Sequence, residues 1–342
     1  MVDTVRLLAG AEPTQEQLET YWTRHQTDAP GASAQLKYHY NPDDEPRVLP
    51  RYTYRPDSHQ GSPQISIEVS LPKLVFGNNH TLLADLDDAL EQLDAAISSD
   101  PALPPLPPPA TTALSRLDLC CSYQVGELLP HYVDALARLT YPRRDTIRIN
   151  AETVEFRARS IKTKFYDKHA ETEGAAPFGT LRHETTYHRA RPLKEAFASQ
   201  TAVTLATITP HLVEAILSQD LARLGIINRP FATRTLALSR LCETHGQTRG
   251  LRLFGALCAY NEVGKHAAAQ QIGISPGSFN RLLSDIRSAG IAPALTDANC
   301  ELPPLQVRLP RKPPTSQTCI QTPGVTRGSL GSEATTERGE GR

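Results

Sequence analysis

The chain has 342 residues, 39% of them hydrophobic, which is enough for two domains or for one domain with extensions. A formal net charge of −1 excludes a molecule that binds polyanions through overall charge alone. Six cysteines without a CxxC pair exclude a zinc ribbon or a disulfide framework and fit idle thiols in a reducing compartment. The opening MVDTVRLLAG lacks a basic segment followed by an apolar run, so no signal peptide is expected. No stretch reaches about 18 apolar residues, so no membrane span is expected.

Val2 to Ala9 reads as a strand. Thr14 and Gln17 form a capping box that opens a helix to about Gln26, with Trp22 as a core residue. Ala34 to Tyr40 alternates as a strand, and the Pro-, Asp- and Ser-rich stretch 41–61 reads as a loop. Ile65 to Leu71 alternates strictly, with Glu68, Ser66 and Ser70 on the polar side. A helix is expected from Thr81 to Ser98, carrying Leu82, Leu83, Leu86, Leu90, Leu93 and Ile97 on one stripe. Six prolines between Pro101 and Pro109 make an extended spacer.

Ala113 to Ser122 reads as a central strand in which Arg116 and Asp118 alternate with Leu117 and Leu119. Charges inside an apolar strand are costly unless they are paired or chemically used. A helix from Leu128 to Thr140 follows. Three short strands come next, at Thr146 to Ile149, Thr153 to Ala158 and Ser160 to Phe165, with Tyr166 where the last one ends. From Tyr141 to His169 eight basic residues face four acidic ones, a net of +4 that suits a phosphate backbone. Lys162 and Lys164 are the expected backbone contacts there. After a loop at 173–178, Thr180 to Tyr187 forms a strand with Arg182, Glu184 and Thr186 on one face.

Helices are expected at about Pro192 to Ala198, from the Thr209 cap to Leu224, and from Thr233 to Thr244. Arg252 to Tyr260 precedes a helix-turn-helix pattern. Its first helix is Val263 to Ile272, Gly273 supplies the turn, Ser275 caps, and Pro276 to Ser288 is the second helix. Small Ala269 permits a close crossing over a core of Ile272, Ile274, Phe279, Leu282 and Ile286. Gly277, Ser278, Asn280, Arg281 and Ser284 face outward, and Ser278, Asn280 and Arg281 are the expected major-groove contacts. From Pro303 onward the composition reads as a disordered tail.

Two constellations carry chemistry. The first is Tyr166 with Lys168, flanked by strands that present Arg116, Asp118, Arg182 and Glu184. A tyrosine with an ordinary pKa near 10 attacks phosphorus poorly until a cation stabilises its phenolate. Lys168, a divalent metal, or both would do so. Glu68, Asp118 and Glu184 are the candidate ligands, and an all-oxygen set points to Mg²⁺ or Mn²⁺. Arg116 and Arg182 would offset the charge that develops on phosphorus. Such a site cuts one DNA strand, leaving a 5′-phosphotyrosine ester and a free 3′-OH, and resealing needs no ATP. The second constellation is the helix-turn-helix.

With these residues in hand, the chain resembles the gene II family of filamentous-phage rolling-circle replication initiators. The carriers are Ile67-Glu68-Val69-Ser70-Leu71-Pro72-Lys73, Leu114-Ser115-Arg116-Leu117-Asp118, Phe165-Tyr166-Asp167-Lys168-His169-Ala170-Glu171 and Leu181-Arg182-His183-Glu184, within residues 1–200. The resemblance implies a protein that binds the origin of the double-stranded replicative form and nicks it through Tyr166. It would then rejoin the displaced single strand, in company with a host helicase and polymerase in the bacterial cytoplasm. None of the 11 histidines forms a His-x-His metal pair, so carboxylates would have to hold any metal. Tyr123 or Tyr187 is open as a second nucleophile.

The expected fold is α+β. An antiparallel sheet with flanking helices forms the nicking domain at 1–200. A helical connector at 201–246, the helix-turn-helix module at 247–308 and a disordered tail at 309–342 follow. The competing reading is a non-catalytic helix-turn-helix regulator of a phage or plasmid, for which the charged strand residues opposite Tyr166 have no use.

Overall fold

The structure is a computed structural model and describes residues 1–27, 35–42, 48–57 and 62–311. Period-two alternation builds ten strands among the described residues. These are β1 (Val2–Ala9), β2 (Thr23–Thr27), β3 (Gln35–Tyr40), β4 (Arg51–Arg55), β5 (Gln64–Ser70), β6 (Ala113–Gln124), β7 (Asp145–Asn150), β8 (Thr153–Arg157), β9 (Ile161–Asp167) and β10 (Thr180–Tyr187). They form one antiparallel sheet in the order β2-β3-β4-β5-β1-β6-β10-β9-β8-β7. Thus β1 inserts between β5 and β6, and β10 inserts between β6 and β9.

Alternation then splits the sheet into two unlike faces. Val5, Leu7, Ile65, Ile67, Leu117, Leu119, Val154, Phe156 and Phe165 share one face and are buried in one core. Their neighbours Arg6, Glu68, Arg116, Asp118, Lys164, Tyr166, Arg182 and Glu184 lie on the other. The helices are α1 (Gln15–Tyr21), α2 (Leu71–Phe76), α3 (Asp87–Ser98), α4 (Leu129–Ala137), α5 (Lys168–Glu171), α6 (Ala190–Ala196), α7 (Pro210–Leu224), α8 (Arg234–His245), α9 (Gln247–Ile272) and α10 (Pro276–Ser288). Leucines of α3, α4 and α7 join the sheet's core. No helix among the described residues is long and apolar enough to cross a membrane.

Several expectations need correction. The first helix stops at Tyr21, because Trp22 turns extended (φ −105°, ψ 134°) to reach the core among Tyr40, Tyr52 and Tyr54. Its indole Nε1 donates to the Ala102 carbonyl. The helix expected over 81–98 begins only at Asp87, because the Asn78 side chain binds the His80 and Thr81 amides in a turn. An unforeseen short helix, α2, starts at Leu71 with Pro72 in its first turn and ends at left-handed Gly77. Arg51–Arg55 is strand β4 rather than loop; parts of the expected loop lie outside the described residues. The tail does not begin at Pro303: Leu305 and Val307 are buried, and the Tyr132 hydroxyl donates to the Pro303 carbonyl at 2.6 Å. The expected tail from 312 onward lies outside the described residues.

A second hydrophobic core joins α8, α9 and α10 through Leu241, Leu253, Leu257, Tyr260, Phe279, Leu283 and Ile286. The α8–α9 contact is close: a Cβ on Gly250 would lie 2.6 Å from the Cys242 backbone. Gly264 (φ +78°, ψ 172°) breaks α9, so a short helical piece runs from Lys265 to Ile272. Gly273 (φ +74°) then turns the chain, and the Ser275 hydroxyl accepts from the Ser278 amide to start α10. Ala269 is buried at the crossing. Ile272, expected in that core, is 43% exposed, and Leu283 is the fully packed leucine rather than Leu282.

The apolar face of the sheet contains one polar knot. Asp220 of α7 accepts from the Tyr141 and Thr185 hydroxyls, both at 2.5 Å. Arg144 lies 3.9 Å and His183 Nε2 3.8 Å from its carboxylate. His183 is fully buried and stacks on Phe165 at 4.4 Å, and burial pushes its pKa down to about 4 despite Asp220. The imidazole is therefore neutral when folded, and below the ordinary histidine pKa it takes up a proton on unfolding. Its stabilisation is whole above the ordinary histidine pKa of 6.5 and is lost as pH falls toward 4. Relative to a His183→Gln chain, the natural chain is expected to lose on the order of 3 kcal/mol between pH 7 and pH 4. Urea unfolding at several pH values measures this, and parallel pH profiles for the two chains would refute it.

Candidate active site

The charged face is assembled by register. Across β9 and β10, Tyr166 pairs with Arg182, Lys164 with Glu184, and Lys162 with Thr186. Across β10 and β6, Glu184 pairs with Cys120 and Thr186 with Asp118. Tyr166 lies inside β9 rather than beyond its end. Asp167 then accepts from the His169 and Ala170 amides and caps α5, which fixes Lys168 beside the tyrosine.

The Tyr166 hydroxyl donates to Glu184 Oε2 at 3.3 Å. Lys164 Nζ sits 3.6 Å from the same oxygen and 3.9 Å from the Tyr166 ring centre. Lys168 Nζ lies 5.7 Å from that centre and pairs with Glu171 Oε2 at 2.5 Å. Arg182, fully buried, donates to the His80 carbonyl at 3.0 Å and to Cys120 Sγ at 3.5 Å. Tyr166 itself is 3% exposed.

Burial, then the Glu184 carboxylate, raises the phenol pKa well above its ordinary value. Burial also works against ionised Glu184, but Lys164, Lys162 and the Tyr166 hydroxyl outweigh it and hold its pKa low. Burial lowers the Lys168 pKa against the pull of Glu171. The cluster therefore pairs a reluctant phenol with an ionised carboxylate and a lysine that releases its proton more readily than usual.

One member escaped the sequence reading. Asp3 on β1 is buried, accepts from the Ser70 hydroxyl at 3.0 Å, and feels Glu184, Arg182 and Lys168. Its pKa is raised by burial first and by Glu184 second. The register of β1 against β6 slips between Val2 and Val5, so both valines reach the core and Asp3 is turned toward the charged side. Alternation alone does not reveal such a bulge.

The expected metal ligands do not converge. Glu68 is three strands from Glu184 in the sheet order, about 14 Å at ordinary strand spacing. It is occupied by Arg6, by Arg51 at 2.9 Å and by Arg116 at 3.4 Å. Asp118 carries a two-pronged pair with Arg116, at 3.0 and 2.6 Å. Burial nonetheless pushes its pKa up to about 7. No group of three His, Cys, Asp or Glu among the described residues could hold a metal ion. Glu68, Asp118 and Glu184 therefore do not fit Mg²⁺ or Mn²⁺ as a shared ligand set, and Arg116 is a pairing residue rather than a group beside the tyrosine.

The other tyrosines are also corrected. Tyr123 pairs in register with Leu181 and Tyr187 with Leu117, which puts both on the apolar face. Tyr123 accepts from Cys121 Sγ at 3.2 Å, and Tyr187 is packed in the core. Neither shares a face with Tyr166. Lys162 leans on Glu155 at 3.4 Å, and Lys164 belongs to the tyrosine cluster itself.

Beyond the cluster the charged face continues over β1, β5, β4, β3 and β2. Arg6, His25, Lys37, His39, Arg51 and Arg55 line a groove of about 660 Å³ in which Glu68 is the carboxylate. A smaller pocket of about 280 Å³ shares Arg51 and Glu68 with this groove and includes Asp3, Lys73 and Arg116. Positive charge accumulates here. Burial, His25, Lys37 and Arg55 lower the His39 pKa, and burial, Arg116, Lys162 and Arg6 lower that of His188. The groove was not legible in sequence because β4 reads there as loop.

On α10, Gly277, Asn280, Arg281 and Ser284 are exposed as expected, while Ser278 is half-buried and its hydroxyl accepts from Ser275 Oγ at 3.0 Å within the cap. Asn280 turns into a pocket against α7.

No family model matches the chain. No curated protein matches it either. Among solved structures it is similar to the rolling circle replication initiator protein from Geobacillus stearothermophilus. The identity is 13% and the TM-score 0.35, over 65% of this chain and 84% of that one.

Proposed function

We propose that the chain nicks one strand of DNA by transesterification onto Tyr166 and so initiates rolling-circle replication. The observation that carries this reading is the hydrogen bond from the Tyr166 hydroxyl to ionised Glu184, with Lys164, Lys168 and Arg182 nearby, on the same sheet face as a basic groove. A phenol with a raised pKa does not ionise in advance, so its proton must leave as it attacks. Glu184 accepts that proton. The tyrosine oxygen bonds to phosphorus, the bond from phosphorus to the 3′ oxygen breaks, and Lys168 supplies the proton that makes a 3′-OH. Lys164 and Arg182 stabilise charge on the phosphoryl oxygens. The reverse attack by a 3′-OH reseals the strand.

In this reading the groove over β1 to β5 holds the strand, and α10, with Arg281 and Ser284 outward, docks on origin duplex. The finer proposal is a gene II type initiator that acts on the replicative form and its displaced strand, with a host helicase and polymerase, inside a bacterial cell. The 3% exposure of Tyr166 favours a second reading, a helix-turn-helix regulator without chemistry.

A covalent adduct on the natural chain separates the two, and a Glu184→Gln chain tests the base. The Gln chain should form the covalent DNA adduct about 10²-fold more slowly with DNA affinity unchanged. Quenched time courses on supercoiled origin DNA measure this. Equal rates for both chains would remove Glu184 as the base, and no adduct with the natural chain would leave the regulator.

A further inference from the structure

A second charged site lies away from the tyrosine. The turn after α4, the C-terminal end of α7 and the module of α9 and α10 enclose a pocket of about 140 Å³. Three cations line it, Arg223, Lys265 and Arg287, together with Asn280 and Thr140, and no carboxylate is among its described lining. Arg223 has a partner in the Tyr141 hydroxyl, at 3.4 Å.

Arg287 is different. Its Nε is buried without a hydrogen-bond partner among the described residues. The side chain is wedged against Gly225, where a Cβ would stand 2.5 Å from Nε. Burial lowers its pKa, and the titratable groups beside it are the Tyr260 phenol and the Arg229 guanidinium. Partly buried guanidinium groups ordinarily have an acid beside them, because desolvation of an unpaired charge is costly. Here two more cations face the same space.

We propose that this pocket binds one phosphate group, gripped by the Arg287 fork, Lys265 and Asn280. A planar guanidinium with a neighbouring ammonium suits a phosphate's several oxygens. The volume is well below the roughly 300–1,000 Å³ of sites that enclose whole small molecules, so a lone phosphate fits and a nucleotide does not. Its source is either free phosphate or the backbone of bound DNA. Only the second source rests on the DNA-binding reading above.

The test uses the full chain beside Arg287→Met and Lys265→Met, which keep the packed stems and remove the charge. Inorganic phosphate, against chloride at matched ionic strength, should raise the melting temperature of the natural chain by several degrees and of neither variant. If the source is DNA, the variants should also bind duplex more weakly, with the slope of log Kd against log salt reduced by about one. Phosphate stabilisation with an unchanged slope assigns free phosphate; a reduced slope assigns a backbone phosphate. No preference for phosphate over chloride together with unaltered slopes overturns the site. If Arg287→Met does not fold, Lys265→Met carries the same comparison. Phosphate binding that persists in a Tyr166→Phe chain separates this pocket from the fate of the nicking reading.

Discussion

The Tyr166→Phe chain is expected to leave supercoiled origin DNA uncut while binding it with near-natural affinity. The substitution removes one oxygen. The ring stays beneath Lys164, whose Nζ lies 3.9 Å from its centre, and Glu184 keeps its pair with Lys164. The lost hydrogen bond is 3.3 Å long and contributes about 1 kcal/mol to stability, so the fold should persist. Loss of a covalent nucleophile should lower nicking on the order of 10⁴-fold or more, since Tyr123 and Tyr187 lie on the opposite face of the sheet. Conversion of supercoiled to open circles gives the rate. Digestion of the natural chain's adduct to a DNA-bound peptide gives the site. Undiminished cutting by the Phe chain, or an adduct on another residue, would end the assignment.

The second large effect concerns stability. Asp220→Ala is expected to destabilise the fold by about 3–5 kcal/mol, a substantial part of an ordinary domain's 5–15 kcal/mol. The carboxylate is the acceptor for two buried hydroxyls, Tyr141 and Thr185, and the counter-charge for Arg144. Both side chains of the Arg144–Asp220 pair are about 95% buried, with 5% and 4% exposed. Truncation leaves the Arg144 guanidinium without its counter-charge and the Tyr141 and Thr185 hydroxyls without their carboxylate acceptor, on a face that otherwise holds Phe156 and Phe165. Asp220→Asn retains an acceptor and should cost about 1–2 kcal/mol. Urea denaturation of the three chains measures the differences. A loss below about 1 kcal/mol for the Ala chain would show that the knot is not held by this carboxylate.

Much of this molecule can be read along the chain. Period-two alternation separated Leu117 and Leu119 from Arg116 and Asp118, and placed Arg182 and Glu184 on one side of their strand. The caps at Thr14, Thr209, Thr233 and Ser275 started helices where expected, because a side-chain acceptor next to free amides is a local cue. Failures came where a local cue met a distant partner. Trp22 left its helix for a cluster of tyrosines on β3 and β4. Arg51–Arg55 looked like loop between proline-rich flanks until β3 and β5 bracketed it.

The chain by itself determined which side chains share a face within an unbulged strand such as β10, that Tyr166 stands among charges, and that a turn at Gly273 joins two helices. Only the tertiary structure decided which strands are neighbours, because β1 enters between β5 and β6 from over fifty residues away and β10 enters between β6 and β9. That arrangement brought Asp3 to the tyrosine and left Glu68 to three arginines. Alternation is a property of one strand's backbone, whereas the distance between two carboxylates depends on strand order and register, which no single segment encodes.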